Sequence, residues 1–107
     1  MNKLLLKGSS ACLGIVKGKV KIISDANSQN IEKGDILVTE MTTPRYIHLI
    51  KNAGAIVTDI GGMLCHAAIV SREFNIPCIV GTEKATTTLK DGQIVIVNAN
   101  EGKVYEE

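Results

Sequence analysis

The chain has 107 residues, 45% of them apolar and only 3% aromatic, enough for one aliphatic-cored domain over residues 1–107. Lys and Arg total 12 against 11 acids, and the resulting net charge of +1 gives no basic footprint for nucleic acid or an anionic membrane. Leu4-Leu5-Leu6 is too short for the apolar region of a signal peptide and far too short to span a bilayer. Cys12, Cys65 and Cys78 are an odd set in a chain without a secretion signal, which argues against a disulfide framework and for a reducing cytoplasm.

No internal repeat or low-complexity stretch is present. Gly8-Ser9-Ser10 punctuates an opening segment to which no element is assigned. Ile15 to Ile23 alternates apolar and polar residues and reads as a half-buried strand. A polar stretch from Ser24 to Asn30 follows. The turn Lys33-Gly34-Asp35 then launches a second strand, Ile36-Leu37-Val38-Thr39.

Thr43-Pro44 marks a helix start, with Thr43 as cap and Pro44 at the first position, where no backbone donor is needed. Tyr46, Ile47 and Ile50 are expected on its buried face, and His48 on the surface. Ala55 to Thr58 reads as a short buried strand. A second helix is expected from Cys65 or His66 to Phe74, with Ala67, Val70 and Phe74 buried and Ser71 and Arg72 facing away. Asn75 can stop it, and Pro77 prevents its continuation. Cys78-Ile79-Val80 is another buried strand. Asp91-Gly92 turns into Gln93 to Val97, and Glu101-Gly102 turns into Lys103 to Tyr105. The fold class is α/β, with about six short strands and two main helices.

The stretch with chemistry in it is Thr58-Asp59-Ile60-Gly61-Gly62-Met63-Leu64-Cys65-His66-Ala67-Ala68. It runs strand, glycine loop, helix. His66 falls at the helix start, where unpaired N–H groups and the helix dipole favour an anion. A neutral imidazole there can attack phosphorus. Gly61 and Gly62 permit a sharp turn and a close approach by another active site. Ala67 and Ala68 are small enough not to obstruct it. From the residues alone, a histidine that merely begins a helix beside a tight turn fits equally well.

Other residues point less far. Adjacent Cys65 and His66 chelate one metal poorly, and no cluster has zinc-like spacing, so no metal site is expected. Packing beside the loop is the simpler reading of Cys65, with orientation of His66 as the alternative. Cys78 reads as core. Arg72 reads as a solvated helix residue, or as a contact for phosphate when a partner docks. Asp59 reads as a turn cap, or as an orienting group for His66. No Walker-type loop or acidic Mg²⁺-holding cluster is visible, so no cofactor is expected on this chain.

Gly61-Gly62-Met63-Leu64-Cys65-His66-Ala67-Ala68-Ile69-Val70-Ser71-Arg72-Glu73, with Asn75 to Thr82, resembles the signature of the phosphoenolpyruvate-utilising enzyme mobile domain. The resemblance extends over Ser10 to Gly18, Leu37 to Pro44, Ala53 to Thr58, Lys90-Asp91-Gly92 and Glu101 to Val104. It implies a swivelling β/β/α phosphohistidine domain in which His66 is phosphorylated. Gly61, Gly62, Cys65 and Ala67 then form the supporting loop and helix start. It further implies an ATP-grasp nucleotide-binding domain, carrying ATP and Mg²⁺, and a phosphoenolpyruvate or pyruvate barrel as partners. The chain alone would be catalytically incomplete. Cys65-His66 is most like the phosphoenolpyruvate synthase branch. Leu64 stands where many members have a threonine that some use for regulatory phosphorylation, and Cys12-Leu13 stand where serine and proline are usual. The competing classes are a non-catalytic binding or regulatory module that keeps the fold, and a Cys65-dependent hydrolase, for which no His-Asp arrangement is identifiable.

Overall fold

The structure, a computed structural model, describes residues 2–107. Met1, with which the expected domain opens, lies outside the described residues. Eight strands form one hydrogen-bonded sheet that folds back into two layers. They are β1 (Leu4–Lys7), β2 (Ser9–Cys12), β3 (Ile15–Ile22), β4 (Ile36–Thr39), β5 (Ala55–Thr58), β6 (Cys78–Val80), β7 (Ile94–Asn98) and β8 (Lys103–Glu106). Their order is β1-β8-β7-β3-β4-β5-β6-β2. The run β3-β4-β5-β6 is parallel, and every other pairing is antiparallel.

Strand β3 belongs to both layers. Ile15 to Lys19 pair with β7, whereas Val20 to Ile22 pair with β4. The second crossing is at Gly8, between β1 and β2. Its N–H donates to the Gly102 carbonyl at 2.8 Å. A Cβ at Gly8 would lie 2.7 Å from the Val80 carbonyl oxygen and 2.7 Å from Ile79 Cγ2, so only glycine fits without displacement.

The middle strands are buried on both faces, as parallel strands covered on two sides must be. Ile36, Val38, Ala55, Val57 and Ile79 point between the layers, against Leu6, Val95, Val97 and Val104. Leu37, Ile56, Cys78 and Val80 point the other way, into a second core under the helices. That period-two division gives the β/β/α arrangement expected from the resemblance.

Three short helices are present. A 3-10 turn over Pro44–Tyr46 runs into α1 (Ile47–Ile50); α2 spans His66–Phe74 and α3 spans Ala85–Thr88. Thr43 Oγ1 accepts from the Arg45 N–H at 3.3 Å, and Pro44 takes the first position, as its residue type predicts. Asn75 ends α2 in the left-handed region at φ 56°.

Several expectations fail. There are eight strands rather than six, because the opening segment forms β1 and β2, and α3 adds a helix. The first helix is only one turn of α after a 3-10 turn, and it buries Leu49 with Tyr46 and Ile50 while Ile47 is half-buried. In α2 the buried stripe is Ala67, Ala68, Val70 and Ser71. Ser71 does not face away: its hydroxyl donates to the Ala68 carbonyl at 2.9 Å, which removes the cost of burying it. Phe74, expected inside, is 38% exposed. Small residues let α2 lie close on the sheet, and a phenyl ring at its end is left at the edge.

Leu37 is completely buried under the helices, whereas Ile94 is exposed on β7. Leu37→Ala is expected to cost about 3 kcal/mol of unfolding free energy in urea, and Ile94→Ala under about 1 kcal/mol. A loss at Leu37 no larger than that at Ile94 would contradict this packing.

Candidate functional site

Because β4, β5 and β6 are covered on both faces, a site must be built from the segments at their ends, and here it is built at the carboxyl ends. Past Thr58 the chain still follows β4: the Asp59 and Ile60 N–H groups donate to the Thr39 and Glu40 carbonyls at 3.1 and 3.0 Å. Thr58 Oγ1 donates to the Ile60 carbonyl at 2.7 Å. The loop Gly61 to Cys65 then turns back, with the Cys65 N–H donating to the Gly62 carbonyl at 3.1 Å.

His66 is the first residue of α2, half-buried, as the strand–loop–helix pattern requires. Its Nδ1 lies 2.8 Å from Thr42 Oγ1. Thr42 follows β4 and is 6% exposed, so this contact is shielded from competing water. Where Nδ1–H donates to the Thr42 oxygen, Nε2 keeps its lone pair free. Cys65, the residue before the helix, is extended and makes no side-chain cap bond. The helix's first N–H groups are therefore not consumed by a cap and remain available to an anion.

The glycines divide their roles. Gly61 sits at φ 130°, and a Cβ there would come within 2.8 Å of Cys65 Sγ. Cys65 thus packs into the notch that Gly61 leaves and against the helix-side core, which supports packing rather than chemistry for its thiol. Gly62 is exposed and has no neighbour within 4 Å of an added Cβ. Ala67 and Ala68 are buried beneath the helix, so their small size serves packing on the sheet and not access from outside. An approaching surface meets Leu64, which is 86% exposed, and Ile69.

The remaining candidates separate from His66. Asp59 accepts from the Thr86 N–H at 2.9 Å and from Thr86 Oγ1 at 2.5 Å, so it holds the first turn of α3 rather than orienting the imidazole. Arg72 is exposed yet engaged: Nε donates to the Ala11 carbonyl and Nη2 to the Met63 carbonyl, both at 2.8 Å. His48 is on the surface. Cys78 is buried, and burial pushes its thiol up to about 12, which keeps it protonated and inert at neutral pH. Among the described residues no group of His, Cys, Asp and Glu is arranged to hold a metal ion. Among the described residues no helix is long and apolar enough to cross a membrane. Thr42 escaped the sequence reading. It lies 24 residues from His66, and only the pairing of β4 with β5 brings them together.

Gly61→Ala is expected to destabilise the fold by about 1–3 kcal/mol, since it adds both a strained φ and a contact with Cys65. Gly62→Ala should stay within about 0.5 kcal/mol. Equal losses for the two in chemical denaturation would contradict the division of roles.

Comparison with known proteins shows the family. The profile of the family described as "PEP-utilising enzyme, mobile domain" matches residues 31–102, which include Thr42, the glycine loop and His66. A probable phosphoenolpyruvate synthase of Archaeoglobus fulgidus is 57% identical over 97% of this chain. The chain spans only 14% of that protein's length. Among solved structures, an Enzyme I protein studied by NMR superposes with a TM-score of 0.61 at 33% identity, over 69% of this chain and 31% of that one. Aconitase X of Thermococcus kodakaraensis superposes with a TM-score of 0.73 at 21% identity, over 95% of this chain and 97% of that one, a likeness of fold alone. With the family profile covering both strands of the site and a relative matching almost the whole chain, the protein belongs to the family of phosphoenolpyruvate-utilising enzyme mobile domains.

Proposed function

We propose that this chain is the covalent phosphoryl carrier of a larger phosphoenolpyruvate-synthase-like phosphotransferase, and that Nε2 of His66 is the carrier atom. The observation that carries the reading is the hydrogen bond between His66 Nδ1 and Thr42 Oγ1 at the start of an uncapped helix. Nδ1 is engaged, and no group among the described residues hydrogen-bonds Nε2.

The chemistry has two in-line steps. Nε2 donates its lone pair to phosphorus as the bond from phosphorus to the donor's oxygen breaks. The ring gains positive charge, and Nδ1–H against Thr42 Oγ1 is where that charge is best held. The phosphoryl oxygens gain stabilisation from the free N–H groups of the helix start. In the second step an acceptor oxygen attacks the same phosphorus, and the imidazole leaves with its electron pair. The protonated ring is the better leaving group, so one hydrogen bond serves both directions.

The same proposal places the donor and acceptor elsewhere. An ATP-grasp domain would supply ATP and Mg²⁺, and a barrel would hold pyruvate and phosphoenolpyruvate. That this chain spans about one-seventh of its curated relatives supports such a division. The exposed Leu64, Met63 and Ile69 around the loop suit docking against those domains. Leu64 has no hydroxyl, so control by phosphorylation at that position is closed to this chain. Cytoplasmic work is part of the proposal and is supported by three unpaired cysteines.

The test is incubation with the nucleotide-binding domain of a phosphoenolpyruvate synthase and ATP, followed by peptide mass spectrometry under alkaline handling. One acid-labile phosphoryl group is expected on His66. His66→Ala should abolish it and His48→Ala should leave it intact. Thr42→Val should slow labelling about tenfold, the equivalent of one lost hydrogen bond of ~1.4 kcal/mol. Phosphate on a hydroxyl, with His66→Ala still labelled, would refute the proposal.

A further inference from the structure

The loop before His66 has few restraints of its own. Ile60, Gly62, Met63 and Leu64 are exposed, and the loop's one internal backbone bond joins Cys65 to Gly62. Cys65 gives α2 no side-chain cap. Thr58 Oγ1 holds the Ile60 carbonyl at the loop's base, and among the described residues one side chain from outside donates to the backbone of Gly61 to Cys65: that of Arg72. It sits in the last turn of α2 and reaches back past the helix start. Its Nη2 holds the Met63 carbonyl while Nε holds the Ala11 carbonyl on β2, both at 2.8 Å. One guanidinium, carried on α2, therefore joins two pieces of backbone, the edge strand and the glycine loop.

We infer that Arg72 is a positioning residue for His66, acting as a forked clamp that fixes the loop leading into the uncapped helix start and leaves its N–H groups free. This rests on the reading of His66 as the phosphoryl carrier. The guanidinium is planar, with donors fixed in a fork, so it can serve two carbonyls at once. With the loop held, Cys65 stays extended, and the His66 ring stays in reach of Thr42. With the loop free, the first turn of α2 frays and the ring leaves that hydrogen bond. A lysine keeps the charge and loses the fork, which separates a clamp from a simple positive charge placed for a phosphate.

The experiment uses Arg72→Lys and Arg72→Gln in this chain and needs no partner domain. Nitrogen-15 NMR reads which nitrogen of the His66 ring carries the proton. Phosphoramidate, a small donor that transfers its phosphoryl group to imidazole with loss of ammonia, reads the rate at Nε2. In the unsubstituted protein the Nδ1–H tautomer should dominate. In both variants that preference and the Nε2 rate should fall about tenfold, the scale of one lost hydrogen bond. A lysine variant that behaves like the parent while the glutamine variant does not would overturn the clamp in favour of charge alone. Variants that melt earlier but keep the tautomer and rate would reduce Arg72 to a structural residue and overturn the inference. Should both variants fail to fold, exchange of Arg72 Nε–H in the unsubstituted protein decides: slow exchange is expected, and exchange as fast as in a free arginine would overturn the clamp. Because none of these readouts uses a protein donor, they can fail while transfer to His66 from a partner succeeds, and the reverse.

Discussion

Everything at the site depends on the double-sided burial of β4 and β5. Both strands are sealed between two cores, so neither can present chemistry along its length. Chemistry is left to the segments that leave their ends, and the imidazole site forms at the carboxyl ends. The β4 end delivers Thr42, the β5 end delivers the glycine loop, and parallel pairing from Ile36↔Ala55 to Thr39↔Thr58 sets the two ends side by side. A slip of one residue would turn Leu37 and Ile56 into the wrong core and separate Thr42 from His66. The hydrogen bond at the imidazole is thus held in place by the register of a sheet.

That arrangement reconciles rigidity with access. Ala67 and Ala68 anchor the first turn of α2 against the sheet, while Gly62, Met63 and Leu64 stand in solvent beside the same turn. The ring itself is half-buried, with one nitrogen turned to a buried threonine and the other not hydrogen-bonded by any of the described residues. The carrier proposed for this chain, meeting two different active sites, would need this combination: an imidazole fixed in one orientation, at the surface, on a small domain.

The local parts of this design were legible in the sequence. The second helix was legible from its apolar spacing, from Asn75 and Pro77 at its end, and from the glycine loop before it. The parallel strands showed as short aliphatic runs. What escaped was made by tertiary contact. Ser9–Cys12 has weak strand propensity and becomes a strand by pairing with β6. Ala85–Thr88 carries three threonines, poor helix formers, and its first turn is held by Asp59 from 27 residues away. Ser71 looked like a surface residue because its polar group is satisfied only once the helix exists. Thr42 and the twofold grip of Arg72 could not be read at all, since each joins segments that only the folded sheet brings together.

The central claim is that Nε2 of His66 carries the phosphoryl group while Thr42 holds Nδ1. The most direct measurement is phosphorus–nitrogen coupling in the nitrogen-15-labelled chain after transfer from a phosphoenolpyruvate synthase donor. The account predicts a single phosphorus resonance coupled to Nε2 of His66, with Nδ1 still protonated. Coupling to Nδ1, or a phosphorus resonance coupled to no ring nitrogen, would contradict it.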